Sequence, residues 1–234
     1  MLTTWSTCGD FNCLINWLDH WQTMLSGLGA IGAAVVTIYV LKMQTNQTKA
    51  QEEDRRLRRF AASRARMQIG LSDTIQYAND AIELLKAYLD SSPVNGVQIQ
   101  ELDNKIRPVM PDSALLTFAN IIETTDDQNF ADVIADMISE IQVLGSRLKT
   151  LAVERRMLGT SGLHSYLMSA AIVYGYAASM FEYARREVNT APQRLDWGHA
   201  ITGLNLKEIR AADYPDLHAF MQRAKDRDQA QGST

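Results

Sequence analysis

The residues with chemistry to offer in this 234-residue chain are four histidines, two cysteines and a few grouped carboxylates. Asp196 and His199 stand three apart, which puts a carboxylate and an imidazole on one helix face. The simpler reading is an aspartate capping a helix beside a surface histidine. Ser161 and His164 are similarly close, but no third group completes a hydrolase triad, and Ser161 is expected to be an N-cap. His20, His164, His199 and His218 form no H-E-x-x-H, and no cysteine follows Cys13, so zinc and di-iron sites lack their usual ligands. Asp126, Asp127, Asp132 and Asp136 miss the calcium-loop spacing. Near a helix start each such charge stabilises by about 0.3–1 kcal/mol, which is reason enough for them.

One motif misleads. Gly27-Leu28-Gly29-Ala30-Ile31-Gly32 spells the dinucleotide fingerprint, and Glu52 and Glu53 follow about 20 residues on, where that fingerprint places its acid. The motif needs a strand before it and a βαβ unit around it. Here an uninterrupted apolar run contains it. No catalytic residue, cofactor-binding residue, metal ligand or cofactor is therefore expected.

Charge is distributed unevenly. Residues 1–41 carry two acids, Asp10 and Asp19, and no base. Residues 42–67 carry eight bases (Lys42, Lys49, Arg55, Arg56, Arg58, Arg59, Arg64 and Arg66) against three acids, a net of +5. The remainder is acidic, with 15 bases and 22 acids, and the whole chain sums to −4. That balance argues against a dedicated nucleic-acid binder.

The basic block has a local cause. From Trp21 to Leu41 there are 21 residues without a charged side chain. As a helix they span about 31 Å, matching the ~30 Å hydrocarbon core of a bilayer. Trp17 and Trp21 lie at one end and Tyr39 near the other, at the level where amphipathic rings settle. A buried core helix this long would show a polar stripe. A cleaved signal peptide would show a positive n-region, which is missing. With every nearby base on the C-terminal side, residues 1–20 are expected outside and 42–234 in the cytoplasm. The block fixes this topology. It has a second possible use, resting on anionic headgroups with Leu57 and Phe60 dipping toward them. In the outer tail Cys8 and Cys13 either close a small loop or stay as two thiols. Gly29, Ala33 and Thr37 at i, i+4, i+8 form a row of small residues along which two spans can approach.

Past the block the spacing is that of bundled helices. Leu71, Ile75, Ala78, Ile82, Leu85 and Leu89 step 4-3-4-3-4. Between Leu41 and Ser91 there is no proline and one glycine, Gly70, so the span is expected to continue as one helix with a kink there. Pro93, Asn95-Gly96, Pro108 and Pro111 mark an irregular connection. A helix over 113–123 follows, then a break at Thr124–Asp127 with capping residues. Ile134, Met137, Ile141, Leu144, Leu148 and Leu151 make one seam. A second runs through Leu163, Leu167, Ala170, Tyr174, Ala177, Phe181, Ala184 and Val188. The short turn at 159–162 predicts antiparallel neighbours. Leu163–Phe181 has 19 uncharged residues and could be read as a second span, but arginines flank it on both sides, so a buried bundle helix is expected. Short helices over 197–206 and 215–228 and a frayed 229–234 complete the chain.

Trp21-Gln22-Thr23, the Gly/Ala span, the Arg-rich exit and the C-terminal Asp196-Trp197, Leu204-Asn205 and Asp213-Tyr214-Pro215 resemble a group of uncharacterised proteobacterial single-span inner-membrane proteins. The resemblance implies a bacterial inner membrane and supplies no catalytic residue.

The expected protein is thus all-α. It has an extracytoplasmic tail (1–20), a transmembrane helix (21–41), a basic juxtamembrane helix (42–67), a cytoplasmic antiparallel helical bundle with coiled-coil seams (68–228) and a short tail (229–234). Its expected partners are the lipid bilayer, a second copy of itself through the span and heptad seams, and a cytoplasmic protein. Its expected role is interaction or scaffolding. The alternatives are a tethered enzyme with its site near His164 or His199, and a two-span pore-like protein.

Overall fold

The computed structural model describes residues 11–91, 97–98, 108–154 and 157–231. Among the described residues the regular structure is helical apart from one pair of two-residue strands. Its elements are α1 (Phe11–Ser91), β1 (Val97–Gln98), α2 (Asp112–Thr124), α3 (Gln128–Glu154), β2 (Met157–Leu158), α4 (Thr160–Ser179), α5 (Phe181–Ala184), α6 (Trp197–Leu206) and α7 (Pro215–Gln231). β1 pairs antiparallel with β2, Val97 opposite Leu158 and Gln98 opposite Met157. Cys8, the side chain of Cys13, and the turn residues Pro93, Asn95 and Gly96 lie outside the described residues.

The chain divides into two compact units, residues 1–55 and 56–234, and the boundary falls within α1. In the first unit every described side chain from Trp21 to Arg55 is exposed. The Thr37, Thr45 and Thr48 hydroxyls each donate to the carbonyl four residues back, at 2.8–2.9 Å, so the helix satisfies its own polar groups.

The second unit has one apolar core. Met67, Leu71, Ala78, Ile82 and Leu85 enter it from α1, and Ala114, Phe118 and Ile121 from α2. The α3 seam is buried along its length, from Phe130 through Ile134, Met137, Ile141 and Leu144 to Leu151. α4 contributes Leu163, Leu167, Ala170, Ala171, Val173 and Ala177 and packs against both α3 and α6.

Two glycine positions set how closely the helices approach. α1 runs through Gly70 as one helix, and the glycine there has a packing role. A Cβ there would stand 3.3 Å from that of Ala114 on α2. At the crossing of α4 and α6 a Cβ on Gly203 would stand 2.7 Å from the Tyr174 ring.

Several boundaries differ from expectation. The helix expected to reach Val188 stops at Ser179, continues as the short α5 and ends where Arg186 adopts φ 62°. The Arg186 amide donates to the Tyr183 carbonyl and the Glu187 amide to that of Glu182, the paired bonds of a Schellman ending. Glu208, also at φ 62°, ends α6 in the same way. Ser161 lies inside α4, and Gly159 holds the N-cap position. α7 extends to Gln231, into the tail expected to fray. Phe60 packs against the core and is thereby withdrawn from the headgroup role considered for it.

Gly203→Ala should cost about 1–3 kcal/mol, because Tyr174 cannot retreat without opening the α4–α6 contact. Chemical denaturation of the full chain in detergent measures this as a lowered midpoint at unchanged slope.

Candidate functional site

Two surfaces carry the features from which function can be argued: the apolar first unit with its basic exit, and a polar cluster on the helical domain.

α1 has a stretch long and apolar enough to cross a membrane, with a mean hydropathy of 1.6 and none of it buried. Its apolar side chains point all round: Leu28 is 61% exposed, Val36 62%, Ile38 66%, Val40 44% and Leu41 55%, and successive members of this set face different sides of the helix. Gly29, Ala33 and Thr37, the expected span-packing row, lie on this segment, and a Cβ on Gly29 would meet nothing within 4 Å.

The eight bases of the exit do not share one environment. Lys42, Lys49, Arg55, Arg58, Arg59 and Arg66 are exposed. Arg56 and Arg64 are drawn into the helical domain. Arg56 forms a bidentate pair with Asp126, its Nη2 2.6 Å from Oδ2. Arg64 donates to the Tyr183 carbonyl at 2.7 and 3.1 Å and to that of Val188 at 3.4 Å, and its guanidinium lies 3.8 Å from the Tyr183 ring centroid. It thus satisfies carbonyls at the end of α5. Nothing in the block's composition separates these two arginines from the other six bases.

The polar cluster lies on α3, α4 and α7. The Arg147 Nη1 donates to the buried Ser169 hydroxyl at 2.6 Å, and Ser169 in turn hydrogen-bonds Glu140. Burial pushes the Glu140 carboxyl up, while Arg147 and Ser169 hold it down. Asp136, one turn earlier, is raised by partial burial and then by Asp132 and Asp228. Tyr176 is raised by burial and then by Asp136, Asp228 and Glu140. Asp228 also accepts from the Trp197 indole at 2.9 Å. Beside that bond opens a cavity of about 380 Å³, bordered by Arg194, Asp196, Trp197, Lys225 and Asp228. Sequence reading missed this cluster. Its members are brought together from three helices by the fold, and only the i, i+4 spacing of Asp132, Asp136 and Glu140 hints at it.

The histidines are dispersed. Asp196 caps α6, its Oδ1 accepting from the Gly198 amide at 2.7 Å, and stands 3.7 Å from the exposed His199. His164 is half-buried near the Phe220 ring, and burial lowers its pKa against the pull of Asp216. Ser161, beside it in sequence, is exposed. Asp127 caps α3, accepting from the Phe130 amide at 3.0 Å. Among the described residues no three of His, Cys, Asp or Glu gather as a metal site.

No protein-family model, curated protein or solved structure matches this chain.

The raised Asp136 carboxyl gives a signed prediction. Its folded pKa lies above the unfolded value, so the folded state holds the proton more tightly, and this group's contribution to stability falls as pH rises through that pKa. Asp136→Asn should therefore raise the melting temperature at pH 7, with the gain shrinking toward pH 4. Thermal unfolding across that range reads it.

Proposed function

We propose that the protein is a single-pass membrane-anchored interaction protein, with its N-terminal tail outside and its helical domain in the cytoplasm. The observation that carries this reading is the pairing of two features on one helix. A charge-free stretch presents apolar side chains on every side, and all the bases near it follow rather than precede it. Exposed apolar surface on that scale has a place in hydrocarbon and none in water. The one-sided bases then set direction, because cytoplasmic flanks retain Lys and Arg. The resemblance to proteobacterial single-span proteins favours a bacterial inner membrane.

The domain behind the anchor is an antiparallel bundle in this reading. The contacts between α3 and α4 support it: Arg147 reaches Ser169, while the earlier Asp136 influences the later Tyr176. Such a body presents surfaces rather than a reaction centre, and its partner is a cytoplasmic protein. α4 buries nine residues, Leu163, Leu167 and Tyr174 among them, which favours a bundle helix over a second span. Self-association through Gly29, Ala33 and Thr37 belongs to the same reading.

Topology is testable without altering the protein. Its two cysteines, Cys8 and Cys13, both belong to the tail. After mild reduction, a membrane-impermeant maleimide should label intact spheroplasts as fully as lysed ones. Labelling that appears only after lysis would reverse the orientation.

A further inference from the structure

α1 carries a second repeat, one that the helical domain does not use. Gly29, Val36, Met43 and Ala50 recur every seven residues, and Ser26, Ala33, Val40 and Gln47 recur every seven between them. Together they step 3-4-3-4 from Ser26 to Ala50. This stripe lies wholly in the first unit, on one helix, and is uncovered: Val36 is 62% exposed, Val40 44% and Met43 54%. A period of 3.5 residues is that of helices wound together with a left-handed twist.

The repeat does not stop where the apolar stretch stops. Its first half lies in the charge-free run ending at Leu41. Its second half, Met43 to Ala50, sits among Lys42, Gln44, Thr45, Asn46, Thr48 and Lys49. Lipid chains cover Gly29 and Val36 but not Met43 and Ala50. An occupant of the whole stripe must itself be apolar within the bilayer, continue into water, and keep the same period at the same heights. A second copy inserted in the same direction meets those conditions residue for residue.

Charge placement agrees. With Ser26, Ala33, Val40 and Gln47 at the first heptad position, Lys42 and Lys49 both fall on the third, away from the seam, so like charges of two copies stay apart. Gln47 is the polar group at a core position, a device that fixes register.

We propose that two copies pair in parallel and in register along Ser26–Ala50, from the bilayer into the stalk beyond it. This rests on the membrane-anchored reading and deepens it. It also narrows the self-association read above: the seam keeps Gly29 and Ala33 and leaves Thr37 beside it, because a right-handed crossing centred on all three would carry the stalks apart.

The test is oxidative cross-linking of the full-length chain in native membranes, on a background of Cys8→Ser and Cys13→Ser. Met43→Cys, Gln47→Cys and Ala50→Cys should form disulfide dimers several-fold more efficiently than Lys42→Cys, Thr45→Cys and Lys49→Cys, which lie off the seam. All six positions are exposed in the first unit, so none disturbs the folded domain. Absence of dimer at every position, or a maximum at 42, 45 and 49, overturns the proposal. The pelleted fraction of each sample is measured alongside. A chain that pellets without cross-linking sinks the dimer alone, whereas a chain that fails to pellet sinks both the dimer and the anchor.

Discussion

Hydrocarbon tolerates neither a charge nor an unpaired peptide group, and 21 successive residues of α1 present neither. The helix closes its own backbone bonds, and the Thr37 hydroxyl turns back to the Ala33 carbonyl. The rest of the chain is arranged around this stretch. Bases gather on one side of it, the acidic excess lies beyond them, and the apolar residues of the distal part are folded into a core of their own. In water the same helix would expose Leu28, Ile31, Val35 and Ile38 together, a surface that drives association.

The helical domain is held by different means. Its seams are long and aliphatic, and two of its closest helix contacts depend on the absence of a side chain at Gly70 and Gly203. Its helix ends are finished by polar groups: Asp127 and Asp196 cap α3 and α6, and Arg64 reaches the Tyr183 carbonyl at the end of α5. Farther along, Lys86 donates to the Lys207 carbonyl and the Tyr214 hydroxyl to Asp90, so the C-terminal segments are tied back to α1. The hydrogen bond to Asp90 and burial push the Tyr214 hydroxyl up to about 12. These ties are made by residues more than a hundred positions apart, whereas the caps are local.

That difference explains what could be read from the residues alone. The α3 seam was legible because one period governs it from end to end, and each position it predicted is buried. The starts of α3 and α6 were legible because a capping aspartate acts within three residues. The end of α4 was not, since Arg186 takes a left-handed conformation usually reserved for glycine, and the apolar spacing carries on past it to Val188. The basic block misled in part. Arg56, Phe60 and Arg64 share its composition, yet they face the domain, and which face of α1 that would be depended on where α2 to α5 came to lie. The cluster of Asp136, Glu140, Tyr176 and Asp228 was hidden for the same reason, being assembled from three helices.

Membrane residence is the premise to test first. The full-length chain, expressed at native level, should sediment with the membranes, resist extraction by alkaline carbonate and appear in the supernatant only when detergent is added. Recovery of the protein in a detergent-free soluble fraction, or its release by carbonate, would mean that the apolar face of α1 is buried against protein rather than lipid, and the anchored reading would fail.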